Sequence, residues 1–367
     1  MDKIRMAHPG GAVDDEMLDE IVSTLKSGRY ILGGKTEEFE AGFANFLGCR
    51  GCSAVSSGTA ALHLALLASG VGEGDDVITT PHTFIATVNS IVHCGARPVL
   101  ADVDERTHNI DPEKIRAAVT KRTKAIIPVH IYGNPAKMDE IMEIAEKSGI
   151  KVIEDACQAA GAEYMGKKAG AIGDAGCFSF FPSKVMSVCG DGGMISSNDM
   201  ELLSKASALR NQGRMKGEKY KHEFIGFNYR MSEIAAAIGA IELGRLGEWI
   251  NRRREIAKIY NDSLSSVKGL ETPHEESHSK PVYYVYTIRS KMRDGLKAFL
   301  EGRGIETGIY YPVPIHLQPA YRRFRLGRFP VAERIAEEIL SLPIHQFMAD
   351  GDAHHVAQKV KEFFSKR

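Results

Sequence analysis

The segment KVIEDACQAAGAEY (151–164), with GCFSFFPSK (176–184) and GDGGMISS (190–197) after it, decides how this chain reads. The runs 151–154 and 176–180 are apolar and rich in β-branched and aromatic residues, the composition of buried strands. The first leads into Asp155; the second passes Ser179 and then, after Pro182 has broken further pairing, presents Lys184. A glycine-rich return at 190–193 feeds a further run, 193–197.

Outward from this centre, runs at 53–56, 77–80, 98–103 and 125–130 alternate with amphipathic windows such as 59–67 and 137–146, and a helical stretch at 16–26 precedes them. That alternation predicts an α/β fold with a mainly parallel seven-stranded sheet sandwiched by helices. Open sheets of this kind gather ligands beyond the carboxyl ends of their strands, where Asp155 and Lys184 fall. From Met231 on, Ile234, Ile238 and Ile241 recur at helical spacing, and NRRREIAKIY (251–260) carries the chain toward a second region. We therefore expect a large domain over 1–245 and a smaller α+β domain over 246–367. The latter would hold an aromatic strand (283–288), a helix (293–303), a Pro-rich turn (311–314) and two closing helices. The polar stretch 272–280 reads as an exposed loop.

Composition narrows the function classes. The 367 residues are 43% hydrophobic, enough for a substantial core, so disorder is excluded. Lys plus Arg (47) equal Asp plus Glu (47), which leaves no global field to attract nucleic acid or an anionic membrane. MDKIRMAHPG has no charged head and apolar stretch of a leader, and no apolar run approaches a bilayer span, so a cytoplasmic protein is expected. The six scattered cysteines fit reduced thiols. Cys49 and Cys52 form a C-x-x-C without a second pair or nearby histidines, so no metal site is expected.

Three elements carry chemistry. Ser57-Gly58-Thr59 follows a strand and opens a helix, so free N–H groups can seat a phosphate; taken singly it is equally an ordinary helix cap. Asp155 can pair with a protonated heterocyclic nitrogen, or simply cap a helix. Lys184 offers an amine for a Schiff base, although a lysine is more often a solvated charge. Together they are the parts pyridoxal phosphate requires.

With GGKTEEFE (33–40), SSGTAALHLAL (56–66), GDDVITTPHTFIATVNSI (74–91), IEDACQAAGAEY (153–164), FSFFPSK (178–184), GDGG (190–193) and NYRMSEIAAAIG (228–239), the chain resembles the DegT/DnrJ/EryC1/StrS family. These are pyridoxal phosphate-dependent sugar aminotransferases of the aspartate aminotransferase fold, fold type I. The resemblance implies that Gly58, Thr59 and Ser179 hold the cofactor phosphate, Phe84 stacks on the ring with Gln158 near its other side, Asp155 binds the ring nitrogen and Lys184 forms the Schiff base. It implies that Asn228 reaches a neighbour's phosphate across the interface of a homodimer. Lys184 would be first a leaving group and then the general base, in ping-pong exchange between glutamate and a nucleotide-linked keto sugar. Arg230, Tyr310, Tyr311 and His316 look like the family's substrate contacts. YYPVPIHLQPAY (310–321) resembles a run found among enzymes that aminate the sugar C3 position, which favours a 3-keto over a 4-keto substrate. Tyr310 departs from it, standing where a histidine is expected, and Cys157 stands where the family often has a small residue such as alanine.

Three rivals remain. Sugar dehydratases of the same family carry histidine in place of the Schiff-base lysine, and Lys184 opposes that. A Rossmann dehydrogenase would need a G-x-G-x-x-G after its first strand, which is lacking. A non-catalytic sensor or regulatory protein with the same fold stays open as the alternative.

Overall fold

The seven apolar runs become the seven strands of one sheet. They are β1 (Gly51–Val55), β2 (Asp76–Thr79), β3 (Arg97–Leu100), β4 (Thr123–Ile126), β5 (Lys151–Asp155), β6 (Ala175–Ser179) and β7 (Gly193–Ser197), in spatial order β1-β7-β6-β5-β4-β2-β3. All neighbours are parallel except β7, which is antiparallel to both β1 and β6. The chain is seen here in a computed structural model that describes residues 3–7 and 13–365. Of the first ten residues, from which no leader is expected, 1–2 and 8–10 lie outside the described set.

β5 shows why these residues form buried strands. Its two-residue period sends Val152 into a cluster with Ile126, Ile141 and Ile144, and Ile153 into another with Leu62, Leu64 and Cys177. Helices cover both faces, as a mainly parallel sheet requires. In the large region they are α1 (Asp15–Lys26), α2 (Gly34–Leu47), α3 (Gly58–Ala68), α4 (Ile85–His93), α5 (Pro112–Ala118), α6 (Met138–Ser148) and α7 (Met200–Arg210). The strands β1, β5 and β6 end on one edge of the sheet, and β7 begins there at Gly193.

The division expected at 245/246 falls inside a continuous helix, α8 (Glu233–Leu264). Leu246 and Trp249 pack with Phe39, Phe43 and Phe178, whereas Ile256, Tyr260 and Leu264 pack with Tyr286, Leu342 and Val356. The change of core thus lies between Trp249 and Ile256. Ile4 also bridges to Ile305, so the start of the chain joins the second core's side. That region contains β8 (Tyr286–Arg289) paired antiparallel with β9 (Ile339–Leu342), and α9 (Arg293–Glu301), α10 (Pro330–Glu338) and α11 (Asp350–Ser365).

Three details correct the sequence reading. The aromatic run 283–288 forms a strand only from Tyr286, because Tyr283 takes a left-handed φ of 49° that breaks the extended backbone. Strand β9, between the closing helices, was not expected. The polar stretch 272–280 is pinned rather than free: Ser279–Lys280 pairs with Glu163–Tyr164, the Arg106 guanidinium meets the His274 ring at 2.8 Å, and Glu275 accepts the Tyr283 hydroxyl.

Candidate active site

At the carboxyl edge of the sheet the start of α3 is pressed against the end of β6. Ser57 caps the helix by accepting the Ala60 N–H at 3.1 Å. Gly58 leaves no room for a side chain: a Cβ there would lie 2.7 Å from the Cys157 sulfur and 2.8 Å from Ser179 Cβ. This brings the helix N-terminus, Thr59 and the Ser179 hydroxyl to one end of a cleft, a ready anion seat. Gly193 serves the same close approach from β7, since a Cβ on it would meet the Ser57 carbonyl carbon at 2.4 Å.

Asp155, the last residue of β5, is buried at 5% exposure. Its Oδ2 accepts the Thr87 hydroxyl at 2.7 Å and its Oδ1 the Cys157 N–H at 3.2 Å. Thr87 is in turn 2.8 Å from the Thr83 hydroxyl. No ion pair to Asp155 is made among the described residues. A buried carboxylate without a cation is costly, and a protonated ring nitrogen is a partner it would suit. The adjacent Glu154 has the opposite fate. The strand period turns it away from the cleft, where it accepts the N–H groups of Gly170, Ile172 and Gly173 at 2.7–2.8 Å and faces His130 at 2.9 Å.

Lys184 closes a turn in which its own N–H donates to the Phe181 carbonyl at 2.8 Å. Its amine lies over the Tyr284 ring, 4.6 Å from the centroid. Above the Asp155 end, Phe84 is 53% exposed at the start of α4, its ring 5.7 Å from that of Tyr311. Gln158 accepts the Tyr132 N–H at 2.6 Å and donates to the Tyr311 hydroxyl at 3.1 Å. Burial pushes the Tyr311 phenol far above its ordinary value, so it enters the cleft as a neutral hydroxyl.

Gly58, Thr59, Phe84, Asp155, Gln158, Ser179, Lys184, Tyr310 and Tyr311 all line this one cleft, which encloses about 1080 Å³ of empty space open to solvent. Asn228, Arg230 and His316 do not line it. Asn228 is exposed and bridges to Asn211, whose Oδ1 accepts Arg230 Nη1 at 3.0 Å. His316, expected as a substrate contact, is corrected: its side chain is 2% exposed, packs 4.9 Å from the Phe329 ring and bonds Glu333 at 3.0 Å. A side chain so enclosed cannot reach the cleft. Conversely, Thr87 and Tyr284 belong to the site without having been read from the sequence. The four-residue spacing of Thr83 and Thr87 at a helix start was the available signal for the first; Tyr284, within an aromatic run, carried none.

This cleft, with Lys184 beside the single antiparallel strand of an otherwise parallel sheet, defines a class, the pyridoxal phosphate-dependent aminotransferases of fold type I. The helix N-terminus, the unpaired Asp155 and the Lys184 amine fit that cofactor. Within the class, the chain belongs to the DegT/DnrJ/EryC1/StrS aminotransferase family, whose model matches residues 12–361. It is 44% identical over 352 residues to the pleiotropic regulatory protein of Geobacillus stearothermophilus, covering 95% of this chain and 93% of that one. It is 40% identical over 345 residues to dTDP-3-amino-3,4,6-trideoxy-alpha-D-glucose transaminase of Streptomyces venezuelae, covering 94% and 90%. Its fold matches the crystal structure of S. venezuelae DesV with a TM-score of 0.96 at 38% identity, over 99% of both chains.

Proposed function

We propose that this aminotransferase moves an amino group from glutamate to the keto carbon of a nucleotide-linked sugar, a 3-keto sugar ahead of a 4-keto one, and that it works as a homodimer in the cytoplasm. The observation that carries the reading is the convergence of Lys184, Asp155 and the start of α3 on one open cleft edged by Tyr310 and Tyr311. The S. venezuelae transaminase, named for a 3-amino sugar, supports the substrate class and the position.

When bound, pyridoxal phosphate supplies the aldehyde that carries the amino group and a ring that accepts electrons. The N–H groups of Gly58 and Thr59, with the Ser179 hydroxyl, hold the phosphate end. Asp155 keeps a proton on the ring nitrogen, its carboxylate aimed by Thr87 and the Cys157 N–H. Lys184 Nζ would take the α-proton of the donor and give it up again on the same face; in the second half the same amine would work in reverse. Tyr311, held by Gln158, offers its hydroxyl to the sugar.

Two features of the surface support the dimer. Leu18, Val22 and Leu25 leave 46–49% of their areas exposed along one face of α1, an apolar stripe suited to a second copy. Asn228 and Arg230 stand outside their own cleft, where they would serve a partner's. The six free cysteines support a reducing compartment. Among the described residues no helix is long and apolar enough to cross a membrane.

A second reading, a regulatory protein that binds the cofactor without turnover, is favoured by the name of the G. stearothermophilus relative. One preparation separates the two. Purified protein should be yellow, and borohydride should fix the label on the peptide holding Lys184. A separate, unreduced portion should lose its visible band on addition of glutamate, and a panel of 3-keto and 4-keto nucleotide sugars should restore it. A protein that takes the label in one portion and that no amino acid bleaches in the other is the regulatory one.

A further inference from the structure

Lys184 borders two spaces at once. In front is the cleft; behind is a polar cavity of about 300 Å³ of empty space, also lined by Glu242, Arg253 and Gln346. A long, flexible stem on a turn between two openings gains entropy by wandering, so a catalytic amine there needs something to hold it forward.

Tyr284 is placed to do so. The Lys184 amine sits over its ring, 4.6 Å from the centroid, and its hydroxyl lies 3.2 Å from that of Ser183, the residue just before the lysine. Tyr284 is itself immobilised. Its N–H donates to the Tyr132 carbonyl at 2.9 Å, and its carbonyl accepts Arg253 Nη1 at 3.3 Å. Arg253, 2% exposed on α8, shares the same Nη1 among the carbonyls of Tyr284, Tyr283 and Ile344, the last two at 3.0 and 3.1 Å, and its Nη2 donates to Gln346 Oε1 at 3.0 Å. It makes no ion pair among the described residues, and burial lowers its pKa to about 10. Its guanidinium therefore serves as a clamp on backbone carbonyls rather than as a counter-ion.

We propose that Tyr284 is a positioning residue for the transamination: its ring face is the rest on which the Lys184 amine waits whenever it is not joined to the cofactor, and Arg253 acts on the reaction only through Tyr284. An aromatic face favours an ammonium group, so Lys184, once it has taken the α-proton, is kept over the Tyr284 ring instead of turning into the rear cavity. The inference rests on Lys184 being the cofactor-bearing amine, which borohydride labelling tests separately and without reference to Tyr284.

The experiment compares holoprotein carrying Tyr284→Phe and Tyr284→Met, with cofactor content and melting temperature checked first. The readouts are the single-turnover rate at which glutamate bleaches the visible band, and the rate at which cofactor-stripped protein regains that band on mixing with pyridoxal phosphate. Tyr284→Met should slow both roughly tenfold without changing the glutamate concentration at half-saturation, and Tyr284→Phe, which keeps the ring, should stay within about threefold of wild type. Wild-type rates in Tyr284→Met overturn the proposal. So does Tyr284→Phe as slow as Tyr284→Met, since the hydroxyl and not the ring would then be at work. Should Tyr284→Met not fold, Tyr284→Leu takes its place under the same criteria.

Discussion

The two walls of the cleft follow different rules. One is made of strand ends, the turns after them and a helix start: Asp155, Ser179 and Lys184, with Gly58 and Thr59 at the head of α3. The other is made of chain outside the strands and α-helices, where Tyr310 and Tyr311 face the cleft while His316, in a short 3-10 turn (Ile315–Leu317), turns into packing against Phe329. On a strand the direction of each side chain is set by alternation, so Glu154 and Asp155 must diverge. In an irregular segment direction is set by whatever packs against it, and neighbours in sequence need not share a site.

The difference can be tested by how hard each wall is to breach. Asp155→Ala removes the partner of the ring nitrogen from the strand-end wall; single-turnover bleaching by glutamate should fall on the order of 10²-fold in protein that still folds and binds cofactor. A loss below threefold would break the contrast. On the other wall, Tyr311→Phe deletes the hydroxyl that Gln158 supports, and the KM for the keto sugar should rise about three- to tenfold with kcat little changed. His316→Asn, in the same segment, should leave that KM within about twofold and lower the melting temperature by about 1–3 °C, since it loses a buried bond to Glu333. If both variants raise KM alike, the segment acts as one unit after all.

The last test concerns what lies behind the strand-end wall. Glu242 accepts the Ser187 N–H at the foot of the lysine turn, and burial raises its pKa from 4.5 to about 7. Between those values the folded chain holds a proton that the unfolded chain has released, so this group's contribution to stability falls as pH rises from about 4.5 and levels off above about 7. Glu242→Gln should abolish that slope. Thermal melts at pH 5 and pH 8 would show it as a variant that loses a few degrees less than wild type on going to the higher pH.

The sheet was legible because each strand is a short apolar run bounded by breakers, and the seven runs named from the sequence are the seven strands found. Gly58, Asp155 and Lys184 were legible because topology puts strand ends together. Tyr284 and Thr87 were not, since their importance lies in contacts with residues 100 and 68 positions away, which no local pattern records. His316 misled for the same reason in reverse. A motif names a residue, while a distant Glu333 and Phe329 decide where it points.

The shared helix α8 has a mechanical meaning. At about 1.5 Å per residue its 32 residues form a rod of roughly 48 Å, anchored in one core by Leu246 and Trp249 and in the other from Ile256 onward. The stretch between the two anchors, from Trp249 to Ile256, carries Arg253, so the arginine that clamps Tyr284 sits where the helix passes from one core to the other. A bend there would be delivered, along an unbroken lever, to the seat of the lysine.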